Sequence, residues 1–202
     1  MSTLCTRVDL IRHGEPVGGR KYRGQSDDPL SERGWAQMRA AVAEHGPWSA
    51  VVTSPLSRCR AFAEEVAQAR GLPLQVEARF KEIGFGTWEG RTADSLNALE
   101  PGVVERFWRD PEALTPPGAE PVAAFRDRVV AGWDTLLAAH HGAHVLVVAH
   151  AGTIRMVVRH VLEMPLRHTF RIQVENAGLT RVEVLGEGPD AFPRLVFHGG
   201  RL

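Results

Sequence analysis

His144-Val145-Leu146-Val147-Val148-Ala149 is the most apolar run in the chain, and it stops at His150-Ala151-Gly152. A short apolar run closed by a polar turn reads as a buried strand. Ile154, Val157, Val158 and Val161 then recur at helical spacing, so a helix opens where the strand ends. The same grammar appears at the start of the chain. Val8-Asp9-Leu10-Ile11 breaks off at Arg12-His13-Gly14, and Ala50-Val51-Val52-Thr53 is closed by Ser54-Pro55. Between these runs, Ser31 is the expected N-cap of a helix carrying Trp35, Met38 and Val42, which Gly46-Pro47 ends. Ser57 to Arg70 shows Phe62, Val66 and Ala69 on one face, with Gly71 as its stop.

Leu74 to Val76 is a further short strand, Phe80 to Gly90 a Gly-rich loop, and Val122 to His140 a long helix after shorter ones. The tail from Phe170 to His198 is expected to form several strands, with turns at Asn176 and at 186–189. Strands alternating with helices predict an α/β fold, a doubly wound and mostly parallel sheet with an antiparallel edge from the tail. Length and the lack of linker-like segments favour a single domain over residues 1–202.

Composition narrows the function. Lys plus Arg and Asp plus Glu both number 24, so no nucleic-acid or membrane-surface partner is expected. No apolar run is long enough to span a bilayer. Cys5 and Cys59 cannot form a disulfide framework and suit a reducing compartment, and the first nine residues lack a signal-peptide pattern. A cytoplasmic protein is the expectation.

In open α/β sheets, ligands sit at the carboxyl ends of the strands. Three strand ends here deliver Arg12 and His13, Arg58, and His150. Two guanidiniums and two imidazoles at one rim make an anion site suited to phosphate, and the helix starting near Ser57 could add its dipole. His13 can act as a nucleophile on phosphorus when neutral, a state that surrounding cations favour. An acid is needed for the leaving oxygen. Glu82 or Glu89 could serve, with Phe85 and Trp88 excluding water and raising a carboxyl pKa. The residues alone do not choose between them. His140, His141 and His144 read as an exposed helix end rather than a metal site, Asp27-Asp28 as a solvated loop, and Cys59 as a buried thiol. Trp35, Trp48, Trp108 and Trp133 are expected in or near the core, and Trp88 near substrate.

Leu10-Ile11-Arg12-His13-Gly14-Glu15 resembles the signature of the histidine phosphatase superfamily, in the branch that includes cofactor-dependent phosphoglycerate mutases. Asp28-Pro29-Leu30-Ser31 with Gly34, Ser54-Pro55-Leu56-Ser57-Arg58-Cys59, Glu82 with Phe85 to Gly90, and Val147 to Gly152 agree in order and spacing. The resemblance implies a three-layer α/β/α sandwich and an enzyme that needs no metal or other cofactor. It implies His13 as the phosphorylated residue and Glu82, not Glu89, as proton donor. Arg12, Arg58 and His150 would hold phosphoryl oxygens.

Within the family the chain is most similar to the α-ribazole phosphatases of cobalamin synthesis. Tyr22 to Leu30, Arg106-Phe107-Trp108, Thr115 to Pro121 and Phe125 with Arg128-Val129 carry that likeness. It adds Gln25, in the early loop, to the expected substrate contacts. The implied partner is a small phosphomonoester. Mutases carry Asn where Gly19 stands and Arg-His-Tyr where Ile83-Gly84-Phe85 stands, which argues for release of the phosphoryl group to water. A phosphoglycerate mutase, or a non-catalytic phospho-ligand module, is the alternative. Specificity is expected in the loops around 16–27 and 84–121.

Overall fold

The computed structural model describes residues 4–200. Four strands run parallel: β1 (Cys5–Arg12), β2 (Ala50–Thr53), β3 (Leu74–Val76) and β4 (His144–Ala149). The tail adds β5 (Leu179–Leu185), antiparallel to β1, and β6 (Phe192–Gly200), antiparallel to β5. The single sheet has the order β3-β2-β4-β1-β5-β6. The expected mixed sheet with an antiparallel edge is therefore present.

Two helix layers cover it. On one side lie α1 (Glu32–Val42) and α2 (Ser57–Arg70), on the other α5 (Val122–Ala139) and α6 (Ala151–Val161). The period of two along β4 explains the sandwich. Val145, Val147 and Ala149 join the core under α5 and α6, while Leu146 and Val148 join the core under α1 and α2. Both faces are apolar because both are covered, which is why this strand reads as a continuous apolar run. Local signals start and stop the helices as expected. The Ser31 hydroxyl accepts the Gly34 N–H at 3.0 Å, and Gly71 closes α2 at a φ of 62°.

The remaining helices, α3 (Ala93–Leu99) and α4 (Val103–Arg109), stand apart from the sheet. Trp88, Leu96, Val103, Val104 and Phe107 form a small core of their own, with Tyr22, Phe85 and Phe170 packed around it. Two expectations are corrected here. The tail contributes two strands, and its first stretch, Leu166–Arg171, is a 3-10 turn whose Phe170 serves this small core. Trp108 is 42% exposed, because Phe107 rather than its neighbour faces inward on α4.

The most deeply buried carboxylate among the described residues lies inside the sheet. Asp9 is buried on β1 and accepts from Trp48 Nε1 at 2.8 Å and Arg181 Nε at 2.7 Å, with His144 Nε2 at 2.8 Å. Burial would raise its pKa, but the bonds with His144, Arg181 and Trp48 hold it well below the carboxylate range. His144 is thus a structural partner on a strand, not part of an exposed helix end. Among the described residues, no helix is long and apolar enough to cross a membrane.

Register sets the functional rim. Arg12 pairs with Ala149, and Thr53 with Val148, so β1, β4 and β2 end side by side. His13, Ser54 and His150, the residues next in the chain, meet there.

Candidate active site

His13 follows the last residue of β1, and its N–H is held by the Ala149 carbonyl at 3.0 Å. The turn that follows is possible only for glycine. A Cβ on Gly14 would lie 2.2 Å from the Gly34 carbonyl oxygen, and one on Gly34 would lie 2.1 Å from that of Glu15. The loop after β1 and the first turn of α1 thus touch backbone to backbone. On the other side, Asn176 Nδ2 donates to the His13 carbonyl at 3.1 Å, and the Ala177 N–H donates to that of Arg12 at 3.1 Å.

These contacts fix the ring. His13 Nδ1 lies 2.8 Å from the Gly14 carbonyl oxygen, which can only accept, so Nδ1 carries the proton. Nε2 keeps its lone pair and has no hydrogen-bond partner among the described residues. Burial lowers the His13 pKa well below its ordinary value, and the Arg12 and Arg58 charges push the same way.

Arg12 and Arg58 are pinned by one edge each. Arg12 Nη1 donates to the Val174 carbonyl at 2.7 Å. Arg58 donates through Nη1 to Ser26 at 2.7 Å and through Nη2 to Gly24 at 2.8 Å. Both Nε groups are buried with no partner among the described residues. Buried guanidinium donors without partners suit an anion's oxygens. Burial brings Arg12 down to about 10, so it remains charged at neutral pH. His150 caps α6, fully buried, with its ring centroid 5.2 Å from that of His13 and Nε2 2.7 Å from Ser54 Oγ. Burial first, then Arg58 and His13, lowers its pKa well below the ordinary value.

The two glutamates separate by environment. Glu82 is held by one N–H on each oxygen, from Ile83 and from Gly152 at 3.0 Å each. Gly152 begins α6 beside His150, so this grip brings Glu82 to the histidine rim. A Cβ on Gly152 would sit 2.1 Å from Glu82 Oε1. Glu89 instead accepts the backbone N–H groups of Gln25, Ser26 and Phe85 at 2.8–3.1 Å and the Ser26 hydroxyl. Burial raises its pKa, yet these bonds leave it lowered, so the expected upward shift beside Phe85 and Trp88 does not occur there. Glu89 stitches the early loop to the acid loop.

Other expectations are redirected. Trp88 lies inside the small core against Tyr22 and Phe107, and Phe85 and Phe170 line the cleft beside Glu82 in its place. Gln25 is exposed at the rim, with Nε2 3.5 Å from the Glu82 carbonyl. Asp27 caps the Ser57 N–H at 2.7 Å, which uses part of the positive end of α2, and Asp28 pairs with Lys21 and Arg23. The Cys59 thiol is buried and its pKa raised by that burial. Sequence reasoning missed Ser54, Asn176 and Arg155. None of the three carried a signal of its own: Arg155 shares its helix face with Arg159, as an ordinary partly exposed arginine would.

A family model described as histidine phosphatase superfamily (branch 1) matches residues 8–192. A Mycobacterium tuberculosis protein named as bifunctional is 35% identical over 202 residues, with 98% of this chain and 55% of that protein covered. The chain thus spans about half the length of the first curated relatives it matches. A Salmonella choleraesuis protein named "Probable phosphoglycerate mutase GpmB" is 30% identical, with coverage of 88% and 84%. Among solved structures, a mycobacterial glucosyl-3-phosphoglycerate phosphatase superposes with a TM-score of 0.84 at 27% identity, covering 95% and 97% of the two chains. The α-ribazole phosphatase from Shigella flexneri gives 0.79 at 26% identity, covering 96% of each.

Proposed function

The chain belongs to branch 1 of the histidine phosphatase superfamily, and on that premise we propose that it is a phosphomonoesterase passing the phosphoryl group through His13 to water. The observation that carries this reading is the His13 ring. Its proton is committed to the Gly14 carbonyl, Nε2 is left with its lone pair, and burial between Arg12 and Arg58 keeps it neutral. Residues 1–202 are read as one catalytic domain.

The chemistry follows from that arrangement. Nε2 attacks phosphorus in line and the bond to the leaving oxygen breaks, with Glu82 supplying the proton that oxygen takes up. Arg12, Arg58 and His150 hold the three remaining oxygens as charge redistributes. Glu82, now the base, accepts a proton from water as water attacks phosphorus, and the N–P bond breaks. The pocket's own charges perform these steps, so turnover should survive a chelator. Loss on chelation with rescue by a divalent ion would count against the mechanism.

Substrate identity is part of the proposal. Two phosphatases of similar fold favour a phosphoester of an organic alcohol, and the early-loop and middle-segment likeness favours α-ribazole 5′-phosphate, with Gln25 at the rim as a substrate contact. Hydrolysis of a panel that includes α-ribazole 5′-phosphate, sugar phosphates and nucleotides tests it. The relative named as a mutase favours a second reading. Supplying 3-phosphoglycerate with a trace of bisphosphate separates the two: free phosphate supports the phosphatase, isomerised product the mutase. Binding without turnover would leave only a phospho-ligand module. Rapid quench should trap acid-labile phosphohistidine, and His13→Ala should lose both the intermediate and turnover.

A further inference from the structure

Beside Glu82 lies a small, open cleft walled by Phe85, Phe125, Met156 and Phe170. Arg155 is the one basic residue of its lining. It stands on α6 and is held by a single edge: Nε donates to the Ile172 carbonyl at 2.8 Å, and the guanidinium carbon lies 5.3 Å from the centre of the Phe170 ring. Neither Nη donates to any described residue, and no described carboxylate lies within ion-pairing distance. Burial lowers its pKa, with the Glu82 charge opposing that shift. The Nη edge of Arg155 is not sealed among the buried unpaired groups and stays open to a ligand in the cleft. The Nη pair is the planar fork that accepts two oxygens of one anion.

We infer that the leaving group bound in this cleft is an apolar or aromatic body bearing a carboxylate, selected by Arg155, a choice that sets aside α-ribazole 5′-phosphate, which has no carboxylate. This rests on the phosphomonoesterase reading, because Glu82, the proton donor to the leaving oxygen, lines the same cleft. The position separates two anion sites by function. Arg12 and Arg58 serve the transferred phosphoryl group, while Arg155 meets the part that departs. A carboxylate fits better than a second phosphoryl group. One fork offers one bidentate contact, which matches the two oxygens of a carboxylate.

The test uses matched esters: 3- and 4-carboxyphenyl phosphate against the corresponding carbamoylphenyl phosphates, which have the same shape without the charge. The quantity read is the acid-to-amide ratio of kcat/KM, compared between wild type and Arg155→Met, so that intrinsic reactivity cancels. A charged hydrogen-bonded pair predicts that the ratio falls by ~10- to 100-fold in the variant for at least one isomer. Arg155→Lys, which keeps the charge and loses the fork, should fall in between. It carries the test if the methionine variant does not fold. Equal losses for acid and amide would make Arg155 a structural prop and overturn the inference while leaving the phosphatase intact. Failure of wild type on both esters while it hydrolyses other members of the panel would overturn the inference alone, whereas failure on the whole panel would sink the phosphatase reading and this inference with it.

Discussion

At the residue scale, the site works by assigning different tasks to chemically identical groups. Two histidines sit at one rim, but only His13 has a free Nε2; that of His150 faces Ser54. Two glutamates share one loop, but Glu89 is consumed by backbone N–H groups. Glu82→Gln should therefore slow attack by ~10²- to 10⁴-fold for alkyl esters and far less for nitrophenyl phosphate, whose leaving group departs unprotonated. Glu89→Gln should instead lower stability, by roughly 1–3 kcal/mol, without changing that dependence on leaving group. Rapid-quench kinetics with both substrates, together with thermal melts, checks the pair. Equal slowing of both substrates in Glu82→Gln would reopen the acid assignment.

Titration of the histidines belongs to the same scale. Burial lowers both folded-state pKa values below the unfolded value, so the unfolded chain takes up protons first as pH falls. Stability from these two groups is fully present above about pH 6.5 and drains away between there and the folded pKa values. The His13 imidazole NMR signals should stay in the neutral form well below about pH 6.5, with denaturant midpoints falling over the same interval. A His13 midpoint at or above its ordinary value would contradict the neutral nucleophile.

At the element scale, two attachments place Glu82, the proposed acid. The start of α6 supplies the Gly152 N–H, and α5 supplies Arg128. That guanidinium makes five hydrogen bonds, to the carbonyls of Arg79, Lys81 and Glu82 and to both oxygens of Glu120. It ties the segment carrying the acid to a helix of the main core. Arg128→Met should destabilise by ~2 kcal/mol and lower kcat more than it changes KM. Arg128→Lys should restore little, because one ammonium cannot span the same acceptors. Gly152→Ala attacks the other attachment: its new Cβ would overlap Glu82 Oε1, so alkyl-ester turnover should fall much as in Glu82→Gln. Wild-type-like kinetics from Gly152→Ala would mean that Glu82 need not occupy this position.

At the scale of the whole molecule, the sheet and the small aromatic core do different work. The sheet levels three strand ends and so makes the rim. The small core around Phe107 carries Phe85 and Phe170, two walls of the cleft, while the main core supplies Phe125 and Met156. Asp9 ties β1, β4, β5 and Trp48 together across one face of the sheet. Asp9→Asn should cost about 3 kcal/mol near neutral pH, since Arg181 loses its buried partner. The folded Asp9 pKa lies below the unfolded value, so its stabilisation is present above about pH 4 and is lost as pH falls further. The gap between wild type and variant in urea melts should narrow in that acid range. A gap independent of pH would remove the charge from the account.

The chain by itself determined whatever depends on neighbours along the backbone. The apolar run at 144–149, the Ser31 cap and the Gly71 stop are local, so strand and helix boundaries were legible. So were the positions of Arg12, His13 and His150, at or one step beyond a strand end, and of Arg58, in the first turn of the helix after β2. Tertiary structure decided what depends on groups far apart in sequence. Glu82 and Glu89 look alike until Ser26 and Gly152, 63 and 70 residues away, each claim one. The glycines at 14 and 34 matter only because two backbones collide there, and no propensity records a collision. Trp88 and Trp108 likewise exchanged their expected surroundings once Phe107 took the centre of the small core. Arg155 is an ordinary helical arginine in the chain, and only the aromatic cleft around it makes it an unpaired charge.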